Sequence, residues 1–131
     1  MELHLKIIGV LLLILALVHG VFPKYFNWQQ ELNKLSLINK QMMYVHTLFI
    51  ALTVFLMGLL CIFSSDELSK THLGKHICLG FGIFWAIRLL IQFFGYSSIL
   101  WKGKTFETTV HIIFVCMWAY LSFIFLSIYL A

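Results

Sequence analysis

Four long apolar segments, separated by shorter polar stretches, dominate the hydrophobic pattern of this chain. They cover approximately residues 5–22, 42–63, 77–96 and 109–130. Each is close to the ~20 residues that a helix needs to cross a bilayer, and backbone groups in lipid find partners only inside a helix. Because the connections are short, the pattern predicts an all-α integral membrane four-helix bundle of up-down-up-down topology. Residues 1–131 are expected to form a single transmembrane domain.

The first connection, residues 23–41, has the pattern of a short additional helix. Pro23 is expected to end the first span, because proline removes a backbone donor and crowds the preceding turn. Asn27 is placed as an N-cap with Gln30 three residues later. Apolar residues recur at helical spacing over residues 28–35. This pattern predicts a short interfacial helix that lies on the membrane surface.

Composition supports a membrane protein. Hydrophobic residues make up 62% of the chain and charged residues 11%, and the mean hydropathy is +0.98. A soluble domain carries about 25% charged residues. The net charge of +4 does not indicate nucleic-acid binding, because the lysines are spread among the connections. The apolar start resembles a signal peptide with small residues at Val18 and Gly20, but we expect it to be a true first span.

The lysines predict an orientation in the membrane. Five lie on the first and third connections and three on the opposite side; in that order they are Lys24, Lys34, Lys40, Lys102, Lys104, Lys6, Lys70 and Lys75. Connections rich in Lys and Arg stay in the cytoplasm. We therefore expect both termini outside.

Three histidines at matching depth form the main candidate site. His19 lies near the end of the first span, His46 near the start of the second and His111 near the start of the fourth. In a four-span bundle these ends lie on one side, so the histidines are predicted to converge as metal or haem ligands. Ionisable groups inside a bilayer mark a functional site by default. Taken singly, each histidine is also explained as an interfacial anchor or a structural residue.

The third span carries a polar and aromatic stripe. Trp85, Arg88, Gln92 and Tyr96 follow one another at spacings of three, four and four residues, which places them on one helical face. Arg88 facing lipid would be costly, so this face is predicted to point into the bundle. The stripe is expected to line a cofactor pocket; alternatively, Arg88 pins the packing of the helices.

Two further residues are assigned to the same site. Glu107 lies four residues before His111 on one face and is a candidate fourth ligand or hydrogen-bond partner that orients the imidazole. It can also pair with Arg88 or stabilise the N-terminus of its helix. Tyr44 lies beside His46 at the start of the second span and is expected to line the cofactor pocket.

Three kinds of chemistry fit these residues. Haem b needs two axial imidazoles and a polar grip on its propionates, which Arg88 can supply. Three histidines with an open position suit Fe, Cu or Zn. A quinone or lipid head group needs no metal and can bind where Arg88, Gln92, His46 and Tyr96 converge. We expect redox chemistry on haem or a metal first, with a cofactor-free accessory subunit or quinone- or lipid-binding protein as the alternative.

The remaining sequence features do little to distinguish these three kinds of chemistry. No GxSxG, HExxH or phosphate-loop motif is present, so a soluble-type hydrolase is unsupported. Cys61 and Cys78 lie at the ends of spans that share a short connection, so they form a disulfide or are small buried apolar residues. The expected partners are the lipid bilayer and either other membrane subunits or a second copy of the chain, and not nucleic acid.

Several stretches resemble those of small bacterial four-span membrane proteins whose activity is uncharacterised. The stretches are residues 22–28, 41–47, 84–96 and 102–111. The resemblance extends over most of the chain. It implies the four-span architecture, a location in the inner membrane of a bacterium, and no particular activity.

Overall fold

All regular elements in the described residues, 1–95 and 103–131 of a computed structural model, are helical. The elements are α1 (Glu2–His19), α2 (Phe22–Tyr25), α3 (Trp28–Glu31), a 3-10 turn (Leu32–Lys34), α4 (Leu37–Phe63), α5 (Ser65–Lys70), α6 (His72–Phe94) and α7 (Thr105–Leu130). Helices α1, α4, α6 and α7 are long and apolar enough to cross a membrane. The predicted all-α class and the four long apolar helices are confirmed.

Capping hydroxyls explain why two long helices begin before the apolar segments predicted from the sequence. The Ser36 hydroxyl accepts a hydrogen bond from the Asn39 N–H at 3.4 Å. The Thr71 hydroxyl accepts one from the Gly74 N–H at 2.9 Å. Such bonds satisfy donors that the first turn of a helix leaves open. Helices α4 and α6 therefore start in the polar connections.

The chain divides into two compact units. Residues Leu3–Ser65 form one, called here the N-terminal unit. Met1–Glu2 and Asp66–Ala131 form the other, called the C-terminal unit. The single four-helix domain stays a prediction. None of the three cysteines is in a disulfide, and Cys61 and Cys78 are both buried, as expected of small apolar residues. This favours that alternative over a disulfide between the two.

In the N-terminal unit, two glycines let α1 and α4 approach closely. A Cβ atom added to Gly58 would lie 2.9 Å from the Gly9 carbonyl oxygen and 3.2 Å from Leu12 Cβ. A Cβ on Gly9 would lie 2.8 Å from the Gly58 carbonyl oxygen. Small residues of this kind allow helix backbones in membranes to touch. The backbones of α1 and α4 therefore meet where Gly9 and Gly58 face each other.

The first connection differs in detail from its predicted helix. Asn27 precedes α3, as expected of an N-cap, but its backbone is left-handed with φ 55° and its side chain caps no backbone N–H. Its amide donates instead to Gln30 Oε1 at 2.9 Å. The first span ends at His19, and Pro23 lies in the first turn of α2, where its missing N–H costs nothing. Short helical turns are therefore found where the sequence predicted a single interfacial helix.

In the C-terminal unit, aromatic rings join α6 to α7. Phe81 meets Phe125 edge-on, with ring centroids 5.3 Å apart. A Cβ on Gly82 would lie 2.6 Å from Leu126 Cδ2, so this glycine admits the leucine side chain. Residues later in α6 contact residues earlier in α7, so these two helices pack antiparallel. The up-down order of all four long helices stays a prediction.

An exposed ion-pair cluster lies at α5. Lys70 Nζ is 2.6 Å from Asp66 Oδ1 and 3.2 Å from Glu2 Oε1. The hydrogen bond from Lys70, with contributions from Glu2 and the Lys70 charge, lowers the pKa of Asp66 below its ordinary value. The hydrogen bond to Asp66, followed by that to Glu2, raises the pKa of Lys70. The cluster is therefore set to stabilise the fold across neutral pH.

We expect Lys70→Gln to raise the pKa of Asp66 toward its ordinary value, measured by NMR titration of the carboxyl carbon. Because the folded pKa of Asp66 is lowered, its contribution to stability is present above the unfolded value of about 3.9 and is lost as the pH falls through the folded pKa. The raised Lys70 pKa adds stability below about 10.4, lost as the pH rises through the folded pKa. Glu67→Gln is the control, and an unchanged Asp66 titration in Lys70→Gln would contradict the pair.

Candidate functional site

A buried amide joins α6 to α7 in the C-terminal unit. Gln92 Oε1 accepts from Arg88 Nη1 at 3.2 Å and from Trp118 Nε1 at 3.4 Å. Gln92 Nε2 lies 2.8 Å from His111 Nδ1. Gln92 and Trp118 are both buried, while Arg88 and His111 are half-buried. We call these four residues the amide network.

The two groups that donate hydrogen bonds to the Gln92 oxygen fix the orientation of its amide. Guanidinium and indole N–H groups only donate, so the atom that faces them must be the oxygen. The Gln92 nitrogen then donates to His111 Nδ1, which must carry the lone pair. His111 is therefore a neutral imidazole with its proton on Nε2. In this tautomer Nε2 is a hydrogen-bond donor and has no lone pair for a metal.

For His111 Nε2 to bind a metal, the Gln92 amide would have to flip, so that its oxygen and nitrogen exchange positions. The Nδ1 atom would then need a proton, and Gln92 would have to accept that proton through its oxygen. The amide NH₂ group would face the donors of Arg88 and Trp118. Two attractive contacts would become repulsive ones, so the network stabilises the form of His111 that does not bind a metal through Nε2.

A stack of aromatic rings lies beside the Arg88 charge. Trp118 is stacked on Trp85 with centroids 5.0 Å apart and planes 8° apart, and on Phe114 at 5.5 Å and 11°. Arg88 Cζ lies 5.1 Å from the centroid of the Trp118 ring. A cation over an indole face is attracted by its quadrupole, more strongly when desolvated. The predicted stripe of Trp85, Arg88 and Gln92 is thus a packed helix contact as well as a polar one.

The N-terminal unit contains a groove between the end of α1 and the first half of α4. Its volume is about 350 Å³. We call it the His19 groove; its lining residues are Ala16, Leu17, His19, Gly20, Pro23, Tyr44, Thr47, Leu48 and Ala51. Small-molecule sites are of roughly 300–1,000 Å³ and mostly apolar, with a few polar groups. The groove has this size and character.

His19 has the opposite tautomer from His111. Its Nδ1 lies 2.8 Å from the Leu15 carbonyl oxygen, which only accepts, so Nδ1 carries a proton. In the neutral ring, Nε2 then holds the lone pair and accepts hydrogen bonds. The Phe22 ring contacts the imidazole at a centroid distance of 4.9 Å. His19 therefore lines the groove with an imidazole whose Nε2 atom is an acceptor.

Helix rotation separates His19 from His46. On α4, Tyr44, Thr47 and Ala51 lie at spacings of three and four residues and line the groove together. His46 is two residues after Tyr44, on another face, where it is exposed. The structure therefore places Tyr44, and not His46, beside His19.

Glu107 is exposed in the first turn of α7, and the residue at the His111 Nδ1 atom is Gln92 rather than Glu107. Tyr96 lies outside the described residues. Within the described part of the chain, no three His, Cys, Asp or Glu side chains form a group that could hold a metal ion.

Trp118 is the central residue that the sequence argument left out of the predicted site. It lies seven residues after His111, which places both on one face of α7. The available sequence signal was that Trp118 and His111 share one face of α7, and that the stripe on α6 also contains a tryptophan. In the groove, Thr47 and Ala51 were missed, although their spacing from Tyr44 marks a shared face.

Comparison with known proteins adds no identity to these sites. No protein-family model matches the chain, and no curated protein or solved structure matches it significantly. The class defined by the fold is a helical protein with four helices able to span a membrane. What it binds has to be argued from the His19 groove and the amide network themselves.

Proposed function

We propose that this chain is a multi-pass membrane protein that binds a small amphipathic molecule of the quinone or lipid class in the His19 groove. It acts as a cofactor-free accessory subunit of a larger membrane complex. The observation that carries the proposal is the groove itself, an apolar volume of about 350 Å³ beside an oriented imidazole acceptor. Predominantly apolar walls with one or two polar groups are typical of ligand sites.

The exposed surface supports insertion into a bilayer. Large apolar side chains are exposed along the four long helices, with Leu17 at 72% and Phe123 at 67%. Soluble monomers rarely expose extended apolar patches, whereas lipid accepts them. We keep the orientation predicted from the lysines, with both termini outside.

The amide network supports a structural role for the intramembrane arginine. Arg88 donates to Gln92 and lies over Trp118, so its charge is held within the packing of α6 on α7. Polar side chains join membrane helices in this way. This arrangement favours the alternative that Arg88 pins the helices, and moves the ligand site to the N-terminal unit.

A haem or transition-metal redox centre is the second candidate. His19 supports it, because an Nδ1–H bonded to a backbone carbonyl orients many ligating imidazoles. The tautomer of His111 weighs against a centre that uses all three histidines. Such a centre would have to form on His19 without His111 Nε2.

Binding and spectroscopy together test the proposal. Protein in lipid nanodiscs is examined by absorption, oxidised and dithionite-reduced, and by metal analysis, and is then titrated with decylubiquinol kept reduced. We expect no Soret band, no stoichiometric metal and saturable binding. A Soret band that shifts on reduction, or stoichiometric metal, would favour the second candidate.

A matched pair of substitutions locates the binding. Ala51→Trp fills the His19 groove and is expected to weaken decylubiquinol binding at least tenfold. Ala119→Trp adds the same ring to an exposed position on α7 and is expected to leave binding unchanged. Equal binding by both variants would show that the ligand lies elsewhere or partitions into lipid.

A further inference from the structure

We infer that the His19 groove selects a ligand that donates a hydrogen bond, so that it prefers a quinol to the corresponding quinone. The inference rests on the proposed function and names the chemistry of its ligand. It concerns binding only. A quinol ring carries O–H donors at positions where the quinone carries carbonyl acceptors, and the two forms share the same heavy-atom skeleton.

The preference follows from the hydrogen bond on the other side of the imidazole. The Leu15 carbonyl, one turn earlier on α1, holds the His19 proton on Nδ1 at 2.8 Å. The far edge of the neutral ring then presents a lone pair at Nε2. A hydroxyl group satisfies this lone pair, whereas a quinone carbonyl would face it with lone pairs of its own.

The rest of the groove offers little to reverse this preference. Thr47 donates its hydroxyl proton to the Met43 carbonyl oxygen at 2.8 Å, so that proton is already engaged. Tyr44 supplies an aromatic wall whose ring meets Trp28 edge-on at 5.4 Å. Its hydroxyl group both donates and accepts, so it can pair with either redox form and favours neither. The remaining lining residues, Ala16, Leu17, Gly20, Pro23, Leu48 and Ala51, have apolar side chains or none. The oriented polar group of the groove is therefore an acceptor, and it matches a ring that bears a hydroxyl.

The volume also suits a single substituted ring. A groove of about 350 Å³ is at the small end of ligand sites. It holds a head group, and the tail of a quinol can extend into lipid. A lipid hydroxyl, such as that of diacylglycerol, has the same donor chemistry, so the experiment has to separate these two sources.

The test compares one ligand in two redox forms. Decylubiquinol and decylubiquinone are titrated separately into nanodiscs that contain the wild-type chain, at neutral pH. We expect the quinol to bind about tenfold more tightly, the size of one hydrogen bond of about 1.4 kcal/mol. A tenfold preference raises the midpoint potential of the bound couple by about 30 mV. Equal affinities, with both reduced in Ala51→Trp, would overturn the donor preference and leave the proposed function intact.

His19→Ala attributes the preference to the imidazole. The quinol should lose about tenfold more affinity than the quinone, because only the quinol donates to Nε2, whereas any loss of contact with the groove wall affects both forms alike. Saturable quinone binding also shows that the variant folds. His46→Ala is the matched control on the other face of α4 and should keep the preference. A preference that survives in His19→Ala would contradict the assignment to this residue.

Competition with diacylglycerol separates the two sources of a hydroxyl. Dioleoylglycerol that displaces decylubiquinol from the wild type, but not from His19→Ala, supports the same donor site and identifies a lipid as its occupant. Failure to displace supports a quinol ring. If neither redox form binds saturably, the proposed function fails together with the inference.

Discussion

Replacing Gln92 by leucine is expected to destabilise the C-terminal unit by about 2–4 kcal/mol. Leucine has a side chain of similar size to that of glutamine, but the substitution removes three hydrogen bonds at once. Trp118 Nε1 loses its acceptor, and Arg88 and His111 each lose their contact with the amide. Two of these bonds join α6 to α7, and the bond from Arg88 lies within α6. At about 0.6–1.5 kcal/mol per bond, the three sum to about 2–4 kcal/mol.

Gln41→Leu is the matched control for this prediction. Gln41 is exposed near the start of α4, so the same change of side chain there should leave the unfolding midpoint close to that of the wild type. Unfolding is followed in nanodiscs by near-ultraviolet circular dichroism, which reports on the stacked Trp85 and Trp118 rings. Equal stability of the two variants would mean that the amide network does not hold α6 to α7.

Nitrogen NMR of His111 provides a readout that packing alone would not move. In the wild type, the ring should be neutral with its proton on Nε2, because Gln92 donates to Nδ1. In Gln92→Leu, we expect a mixture of tautomers or a proton on Nδ1. A wild-type ring with a protonated Nδ1 would contradict the assigned orientation of the amide.

Gly58→Leu is expected to separate α1 from α4 and destabilise the N-terminal unit by about 3 kcal/mol. The added Cβ alone would approach the Gly9 carbonyl oxygen to 2.9 Å, and a backbone atom cannot move aside as a side chain can. The longer leucine chain adds further overlap with Leu12 and Leu13. Because the His19 groove lies between the same two helices, decylubiquinol binding should fall as well.

Gly80→Leu is the matched control, because a Cβ at Gly80 would meet no atom within 4 Å. Leucine has the higher helix propensity, by up to about 1 kcal/mol, so this variant should be neutral or slightly stabilised. A loss of stability in Gly58→Leu together with a gain in Gly80→Leu would distinguish the effect of close packing from that of helix propensity. A stabilised Gly58→Leu protein would refute the tight contact between α1 and α4.

The sequence was a good guide to elements but a poorer guide to their ends. Hydropathy located all four long helices, because a span of about twenty apolar residues is a strong signal. The early start of α4 and α6 depends on the Ser36 and Thr71 hydroxyls, which lie in polar stretches outside the apolar segments. Asn27 shows the reverse: the residue type is right for a cap, but its left-handed backbone leaves no backbone N–H within reach of its side chain.

The candidate site could be predicted residue by residue but not as an assembly. Spacing correctly placed Trp85, Arg88 and Gln92 on one face of α6, where the structure finds them in contact with α7. Spacing also paired Glu107 with His111, and there the bond from the neighbouring helix prevails. Whether the three predicted histidines hold haem or a metal stays a prediction.

The sequence by itself determined the class of this protein and which side chains share a face of each helix, because hydropathy and the 3.6-residue period are local properties. Only the tertiary structure decided how each helix is rotated against its neighbour. That rotation puts Tyr44 rather than His46 beside His19, and Gln92 rather than Glu107 on His111. It also makes one imidazole an acceptor and the other a donor, since hydrogen-bond partners on adjacent turns and helices are decided by distances of a few ångströms.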